Sequence, residues 1–592
     1  MSMIGELTDL VGEAFADLGL DRGYGTVVVS QRPDLAQFQC NGALAAAKAG
    51  RRPPRDIASD IAVAIGEDPR VAAVEVAGPG FVNLSVTDAH LANTLTRTSS
   101  DDRLGLHLVT NPRSVIVDYA GPNVAKDLHV GHLRPSLIGE SLKRIYSAVG
   151  HDVKGDVHLG DWGLPMGQLI AALEECHPHW PYFDSNSTAE GDAEFPTESP
   201  LDIEDLQELY PKASQRFNED TDFRSRAHAA TVALQEGHAG YRALWAHFRS
   251  VSVDAFRSTF DRLGVRFELW LGEASVGDRV KPLAEELRAS GVAVESDGAL
   301  VIRVTEDDDT VDIPPLMLLN SRGGATYATT DLATLAQRVD DLGADEIVYV
   351  VDLRQSLHFT QLFRAARLAG VASADVTLSH AGFGTVDGPD GRPFRTRNGD
   401  LPRLAHLVDE VVELAARRLD ENDLATDFSA TERQEIARLV GLAALKYGEL
   451  SNHRTTNYRF DLERFTMLQG RTGPYLLYVV VRTSSILARL SAEGIEPGPF
   501  TVATHEKERL LALTLLQWPE VVERSLQAHT PNTIAEYAYE LSGVFNQFYD
   551  ACHILSANDP ATQRSWLALV ALTRRLLVAA LDLLVIDVPL RM

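Results

Sequence analysis

Three cysteines in 592 residues are too few and too scattered for a disulfide framework. Cys40, Cys176 and Cys552 lie far apart and are odd in number, so they read as buried or incidental thiols of a reducing compartment. A zinc site would want clustered pairs, and no metal site is expected. Long apolar runs are missing as well. No stretch reaches 18 residues, which excludes a transmembrane helix and any membrane partnership of that kind. The opening MSMIGELTDLVGEAFADLGL mixes acids with apolar residues, the pattern of an amphipathic helix and not of a secretory or organellar leader, so a cytoplasmic protein is predicted. Repeats of solenoid length are absent. Positive charge is scarce too: 55 Lys and Arg face 83 Asp and Glu, a net charge of −28. Taken globally this argues against a nucleic-acid binder, whose footprint is basic. A local basic track is the remaining route to RNA, and it implies marked salt sensitivity.

What is present is an ample core supply, 45% hydrophobic, enough for two to four domains. The chain is organised around residues 114–134, SVIVDYAGPNVAKDLHVGHLR. Val115-Ile116-Val117 has the composition of a short buried strand. Gly121, Pro122 and Asn123 mark a turn. His129-Val130-Gly131-His132 then runs into a helix-period segment carrying Leu133, Leu137, Ile138 and Ile145. A helix N-terminus offers free N–H groups and a positive dipole end, and Gly131 lets a purine or ribose lie against the backbone. The imidazoles can donate to phosphate oxygens as charge develops. Standing alone, a His-x-x-His pair is more often a surface pair or part of a metal site.

It does not stand alone. With Asp118, Asn123, Ala125-Lys126 and His129-Val130-Gly131-His132-Leu133-Arg134, the block resembles the first signature of class I aminoacyl-tRNA synthetases in its arginyl-tRNA synthetase version. Four later places support this, so the resemblance covers nearly the whole chain. It implies ATP-dependent ligation of L-arginine to tRNA(Arg) through an arginyl-adenylate, with magnesium on the ATP. Lys126, His129, Gly131 and His132 would hold ATP.

The segment 388–400, GPDGRPFRTRNGD, resembles the family's degenerate second signature, a mobile basic loop that neutralises pyrophosphate. Arg392 and Arg395 stand where the family more often places lysines, and Arg395 would also touch ATP. Where the usual lysine is missing the family is thought to compensate at the position of Lys126. The resemblance thus names Lys126, His129, His132, Arg392 and Arg395 as catalytic.

A pocket for a planar guanidinium needs a carboxylate accepting parallel N–H bonds. Tyr327 and Asp331 are four apart where a strand end enters a helix, so both can line one wall. Asp331 as a plain helix cap is the alternative. In the family the matching pair holds the guanidinium, and Asp118, Asn123 and Gln355 match other arginine-binding positions.

Residues 1–105 read as a small α+β domain. Residues 71–84 read as a hairpin-like pair of strands around a Gly-Pro-Gly turn. The 38–43 and 77–83 runs resemble the N-terminal domain peculiar to this family, which leans on tRNA; Phe38, Gln39 and Asn41 are its RNA-facing candidates, with Phe38 equally readable as core. Residues 106–425 alternate strand and helix, predicting a Rossmann-like, doubly wound parallel sheet. A helical insertion at about 177–298 interrupts it, and the sheet is expected to resume at 300–304. His177 and His179, beside Pro178, read as an exposed turn in preference to metal ligands. Residues 426–592 show helical spacing and predict an α-helical anticodon-binding bundle. There Tyr475, Tyr478 and Arg482 share one helix face suited to splayed-out bases, the tRNA-binding reading. A monomer is expected.

Departures from the family pattern at Leu164-Pro165, at 274–276, at 321–323 and in the arginine-only loop motivate an alternative. It is a specialised paralogue, activating arginine for a small-molecule pathway or serving as an inhibitor-tolerant second copy. A catalytically dead RNA-binding protein is the reading from a different class.

Overall fold

The computed structural model describes residues 2–30, 32, 35–183, 195–388, 402–422, 428–501 and 503–592 of the chain. It contains two compact units. One comprises Thr110–Leu419 with Ala444–Thr466; the other comprises Met1–Val109, Asp420–Ala443 and Met467–Met592.

The first unit is built on a parallel sheet. Its strands are β1 (Ser114–Asp118), β2 (Asp152–Asp156), β6 (Glu346–Tyr349) and β7 (Thr377–His380), in the order β7-β6-β1-β2. The β-branched run of β1 and the Ile347-Val348 pair of β6 are fully buried, as central strands covered on both faces require. Helix α1 (Leu133–Ala148) connects β1 to β2, and α8 (Ser356–Leu368) connects β6 to β7. The chain therefore winds outward in opposite directions from β1 and β6. That makes the crevice beyond their carboxyl ends the topological switch point, where open α/β sheets bind ligands.

Register places four polar residues in one row at that edge. His380 pairs with Tyr349, Tyr349 with Asp118, and Asp118 with Asp156. Arg338 of helix α7 (Tyr327–Asp340) reaches into this row, fully buried. Its Nη2 donates to Asp118 Oδ2 at 2.6 Å and to Asp156 Oδ2 at 2.7 Å. Its guanidinium lies 5.2 Å from the Tyr349 ring centre. One side chain thus ties two strand ends to a helix on the sheet's face.

The insertion is helical. Helices α2 (Leu164–Cys176), α3 (Ile203–Glu219), α4 (Thr221–Gln235) and α5 (Ala239–Leu263) form it, and α6 (Gly277–Ala289) follows. Pro165 sits in the first turn of α2, where a missing N–H costs nothing, and Leu164 packs against the cluster of Ala171, Ala213 and Phe223. His177 stacks on Trp180 with ring centres 4.2 Å apart.

Residues 300–304 do not resume the parallel sheet. Ala299–Ile302 (β4) pairs antiparallel with Ala293–Ser296 (β3) and with Leu316–Leu319 (β5) in a separate three-stranded sheet. The reason is local. Asp297 and Gly298 have φ of 49° and 78°, the two left-handed residues of a tight hairpin, and a hairpin forces antiparallel pairing.

Residues 444–466 belong to this unit through Arg134. Buried in α1, Arg134 pairs with Glu449 at 3.0 Å and donates to the carbonyls of Gly384 and Arg454.

The second unit holds an antiparallel sheet in which Val27–Val29, Phe38–Cys40, Phe81–Val86 and Val71–Ala77 lie in that order. Gly78 and Gly80, at φ of 50° and 143°, turn the expected hairpin between the last two strands. Its other part is the helical bundle of Gly473–Ala492, Glu506–Leu515, Trp518–Ala528, Asn532–Cys552 and Pro560–Leu583.

Removing one partner of a buried ion pair leaves an uncompensated charge. Arg338→Met should therefore lower stability by about 3–5 kcal/mol at pH 7, read by urea unfolding. Burial alone would raise the Asp156 pKa, but His158 and Arg338 override it and hold that carboxyl well below its usual range. Wild-type stability from this source is complete above the ordinary aspartate pKa and is lost as pH falls below it. The gap between wild type and variant should accordingly narrow on acidification.

Candidate active site

The signature segment leaves β1 through a contorted turn. Ala120, Gly121 and Ala125 have φ of 76°, 54° and 65°, and such strain concentrates at functional sites. Asn123, exposed, bridges to Gly160: Val124 N donates to Gly160 O and Gly160 N to Pro122 O, each at 3.0 Å. A Cβ on Gly160 would collide with Asn123 Oδ1, so glycine there makes room for the amide side chain.

His129 caps a single 3-10 turn, Val130–His132, that leads into α1. The backbone N–H of Gly131 donates to His129 Nδ1 at 3.1 Å, and that of His129 donates to His132 Nδ1 at 3.0 Å. The rings stand 4.0 Å apart. An Nδ1 that accepts from a backbone N–H leaves the ring proton on Nε2. Burial lowers the pKa of both rings, Lys126 lowers both further, and His129 adds to the effect on His132, which falls to about 3. The pair thus presents neutral Nε2–H donors at neutral pH.

Lys126 extends its ammonium over the Tyr210 ring of α3, 4.6 Å from the centroid. Residues 402–404 run antiparallel to 128–130. Val130 N donates to Pro402 O at 2.9 Å, Leu404 N donates to Leu128 O at 2.8 Å, and Arg403 Nε lies 2.8 Å from Asp127 Oδ2. Arg392 and Arg395, in the segment preceding this pairing, lie outside the described residues.

The residues matched to arginine-binding positions lie at the start of α7 and just before α8, with Asp118 at the end of β1. Tyr327 opens α7 and is 74% exposed, and Asp331 lies one turn further on. Asp331 Oδ2 is 2.7 Å from His358 Nε2, a contact that holds the carboxylate in place. Gln355 ends the short turn leading into α8, its backbone N–H on Asp352 O at 3.0 Å. Asp118 is committed to Arg338.

Three participants were not assigned from sequence. Arg338 gave no sequence signal, because its partners are 220 and 182 residues away. His358 lies three residues after Gln355, on the same helix face, a spacing that could have drawn attention to it. Glu273 immediately precedes the 274–276 departure from the family pattern, which carries no signal of its own for this residue. Burial raises its pKa, and Asp161 and Asp331 raise it further, while His158 and the Trp162 N–H oppose the shift. Burial and then Glu273 and Tyr210 raise the Tyr327 phenol. Glu273, Asp331, Tyr327 and Tyr210 therefore share one electrostatic neighbourhood. Among the described residues neither Glu273 nor Asp331 is ion-paired to a lysine or arginine.

In the bundle, Arg482 Nη2 donates to the Tyr478 hydroxyl at 2.8 Å, and its Nη1 donates to Asn546 Oδ1 at 2.9 Å. Asn546 Nδ2 in turn donates to the Tyr475 hydroxyl at 2.9 Å. The three helix-face residues thus form one bonded strip, with Tyr478 40% exposed. In the antiparallel sheet Phe38 is a core residue, only 4% exposed, because alternation along its strand turns it inward; it is not free to meet RNA. Gln39 lies on the opposite face and donates to Asn83 Oδ1 at 2.8 Å.

Comparison with known proteins agrees along the whole length. Residues 94–462 match the family model of the class I (R) tRNA synthetase catalytic domain. Residues 476–592 match the DALR anticodon binding domain, and residues 5–86 match the arginyl tRNA synthetase N-terminal domain. The chain is 43% identical over 591 residues to an arginine–tRNA ligase of Alkaliphilus oremlandii and 45% identical over 592 residues to that of Maricaulis maris. Each match covers 100% of both chains. Its fold matches the arginyl-tRNA synthetase structures of Plasmodium falciparum (TM-score 0.82, covering 100% and 99% of the two chains) and Thermus thermophilus (TM-score 0.80, 100% of both), each at 22% identity.

Nitrogen NMR of histidine-labelled protein tests the assigned tautomers. His132 should hold the neutral Nε2–H form from pH 8 down to pH 5, with no titration in that window; an imidazolium signal near pH 6 would contradict the hydrogen-bond assignment.

Proposed function

The chain belongs to the arginyl-tRNA synthetase family, and we propose that its switch-point crevice activates arginine with the residues described above. The reaction is ATP-dependent ligation of L-arginine to tRNA(Arg), in two steps. The arginine carboxylate attacks the α-phosphorus of ATP in line, giving arginyl-adenylate and releasing pyrophosphate. The 2′-hydroxyl of the terminal tRNA ribose then attacks the adenylate carbonyl and releases AMP. No covalent enzyme intermediate is required; the work is positioning and charge stabilisation.

His129 and His132 donate from Nε2 to phosphate oxygens, and as neutral donors they gain most where charge builds up in the transition state. Gly131 leaves the backbone open to the nucleotide. Lys126 supplies a point charge to the phosphates, and Arg392 and Arg395 add charge-assisted bonds to the leaving pyrophosphate. Magnesium enters with the substrate, as the MgATP complex.

Asp331 and Glu273 receive the guanidinium and Tyr327 closes over it, while Asn123 and Gln355 hold the amino acid's polar end. Asp118 acts from beneath, its charge already balanced by Arg338. What supports this reading is that Glu273 and Asp331, the charge of the second raising the pKa of the first, are paired to no lysine or arginine among the described residues, while His129 and His132 each accept a backbone N–H at Nδ1 and keep an Nε2–H to donate. A cation arriving between the carboxylates relieves their repulsion.

In this reading the 1–105 region contacts the body of the tRNA. The 426–592 region reads its anticodon, with Tyr475, Tyr478 and Arg482 stacking on bases. Both flanking domains are retained in full, which favours the ligase over a paralogue that activates arginine for a small-molecule pathway. The enzyme acts as a cytoplasmic monomer; among the described residues no helix is long and apolar enough to cross a membrane.

Aminoacylation of total tRNA, with each amino acid in turn under ATP and magnesium, tests this directly. Charging with arginine alone is expected. Arginine-dependent ATP–pyrophosphate exchange without tRNA, and no charging, would establish the small-molecule alternative instead.

A further inference from the structure

Three side chains of the helical insertion grip the signature loop from outside the parallel sheet. Ser252, buried on α5, accepts the Ala125 N–H at 2.9 Å, fixing the left-handed residue just before Lys126. Gln207 on α3 donates to Asp127 Oδ1. Tyr210, one turn on from Gln207, presents its ring to the Lys126 ammonium at 4.6 Å. Asp127 is also held by Arg403, the residue paired with His129, so both neighbours of the loop converge on Asp127, next to Lys126.

Helix α3 separates its tasks by face. Leu206 and Ala213 are buried, and Leu209 and Phe217 lean on the Ala171 and Phe223 cluster. Gln207 and Tyr210 are only half-buried and flank that face. Tyr210 therefore does little for the insertion's own core. Its phenol also contributes to raising the Tyr327 pKa, after burial and Glu273.

We propose that Tyr210 is a positioning residue for Lys126: its ring face holds the ammonium at the mouth of the crevice, ready for the phosphates. This rests on the reading of Lys126 as a phosphate-binding group. The physics is the attraction of a cation to the ring quadrupole, which needs an aromatic face and no hydroxyl. A lysine stem has four rotatable bonds, and confining it before ATP arrives removes an ordering cost from the binding step. Lys126 is the charge the chain supplies next to its own histidines, so its placement decides how well those donors are complemented.

The test is tRNA-dependent ATP–pyrophosphate exchange with the full chain. Separate kcat and KM values for ATP and arginine would be measured on wild type, Y210A, Y210F, K126A and K126A/Y210A. Y210A should lose about 3- to 20-fold in kcat/KM for ATP while the KM for arginine stays put. Y210F, keeping the ring, should recover to within about twofold, because the hydroxyl contributes little to the interaction. The double variant should be no worse than K126A, since both changes remove one interaction. Multiplying losses in the double variant, a Y210F as poor as Y210A, or an effect confined to the KM for arginine would overturn the proposal. A fully active K126A would overturn the Lys126 reading itself and the proposal with it, whereas a damaged K126A beside an unaffected Y210A overturns the positioning alone. Y210L, which keeps bulk without the ring face, replaces Y210A if a thermal melt shows that Y210A does not fold.

Discussion

The site depends on one buried guanidinium. Arg338 donates from a single nitrogen to the last residues of two adjacent parallel strands, Asp118 and Asp156. Burial opposes its charge, and Asp118 with Asp156 outweighs that opposition, so the ion triad survives inside the core. Replacing all three members of such a triad by apolar residues is neutral or stabilising in general, because desolvation is expensive, whereas removing one member alone strands a buried charge. The triad's worth to function is positional. It fixes the carboxyl ends of β1 and β2 against α7, the helix that carries Tyr327 and Asp331. The end of β1, from which the signature segment leaves, and the helix that carries Tyr327 and Asp331 are therefore tied by one interaction.

The charges around that triad fall into two groups. Inside, Asp118 and Asp156 face Arg338 and His158; burial lowers the His158 pKa, but the Asp156 hydrogen bond together with the charges of Asp118 and Asp156 leaves it above its ordinary value. Among the described residues Asp331 and Glu273 remain unpaired to lysine or arginine, with His358 steadying the first. The two imidazoles are kept uncharged by burial, and each Nδ1 accepts a backbone N–H. In the proposed reading a cationic amino acid meets the carboxylates and an anionic nucleotide meets the neutral donors. The chain's net charge of −28 is no obstacle to this division, because binding depends on local charge and not on the total.

Much of this was legible in the sequence, for a physical reason. Local signals encode local geometry: the β-branched run gave β1, and the histidine motif announced a backbone-bonded turn at a helix start. The 3.6-residue period of the carboxyl-terminal segment gave the bundle. Failures came where the determinant was non-local or hidden in a short turn. The Asp297-Gly298 hairpin redirected a strand from the parallel sheet into an antiparallel one. Phe38 was turned inward by pairing with Leu84, 46 residues later in sequence and opposite it in the sheet. Arg338 reads as an ordinary helix residue until the fold brings two aspartates to it. Leu164-Pro165, odd beside the family pattern, is explained once α2 is seen to begin there.

Selection of a guanidinium by unpaired carboxylates can be measured without chemistry. Isothermal titration of the ATP-loaded enzyme with tRNA present, comparing L-arginine with L-citrulline, isolates the charge because the two side chains are nearly isosteric. The account predicts citrulline at least about 100-fold weaker, since charge-assisted bonds are lost and two half-buried carboxylates stay unneutralised. Equal affinities would show that shape alone selects the substrate and would contradict it.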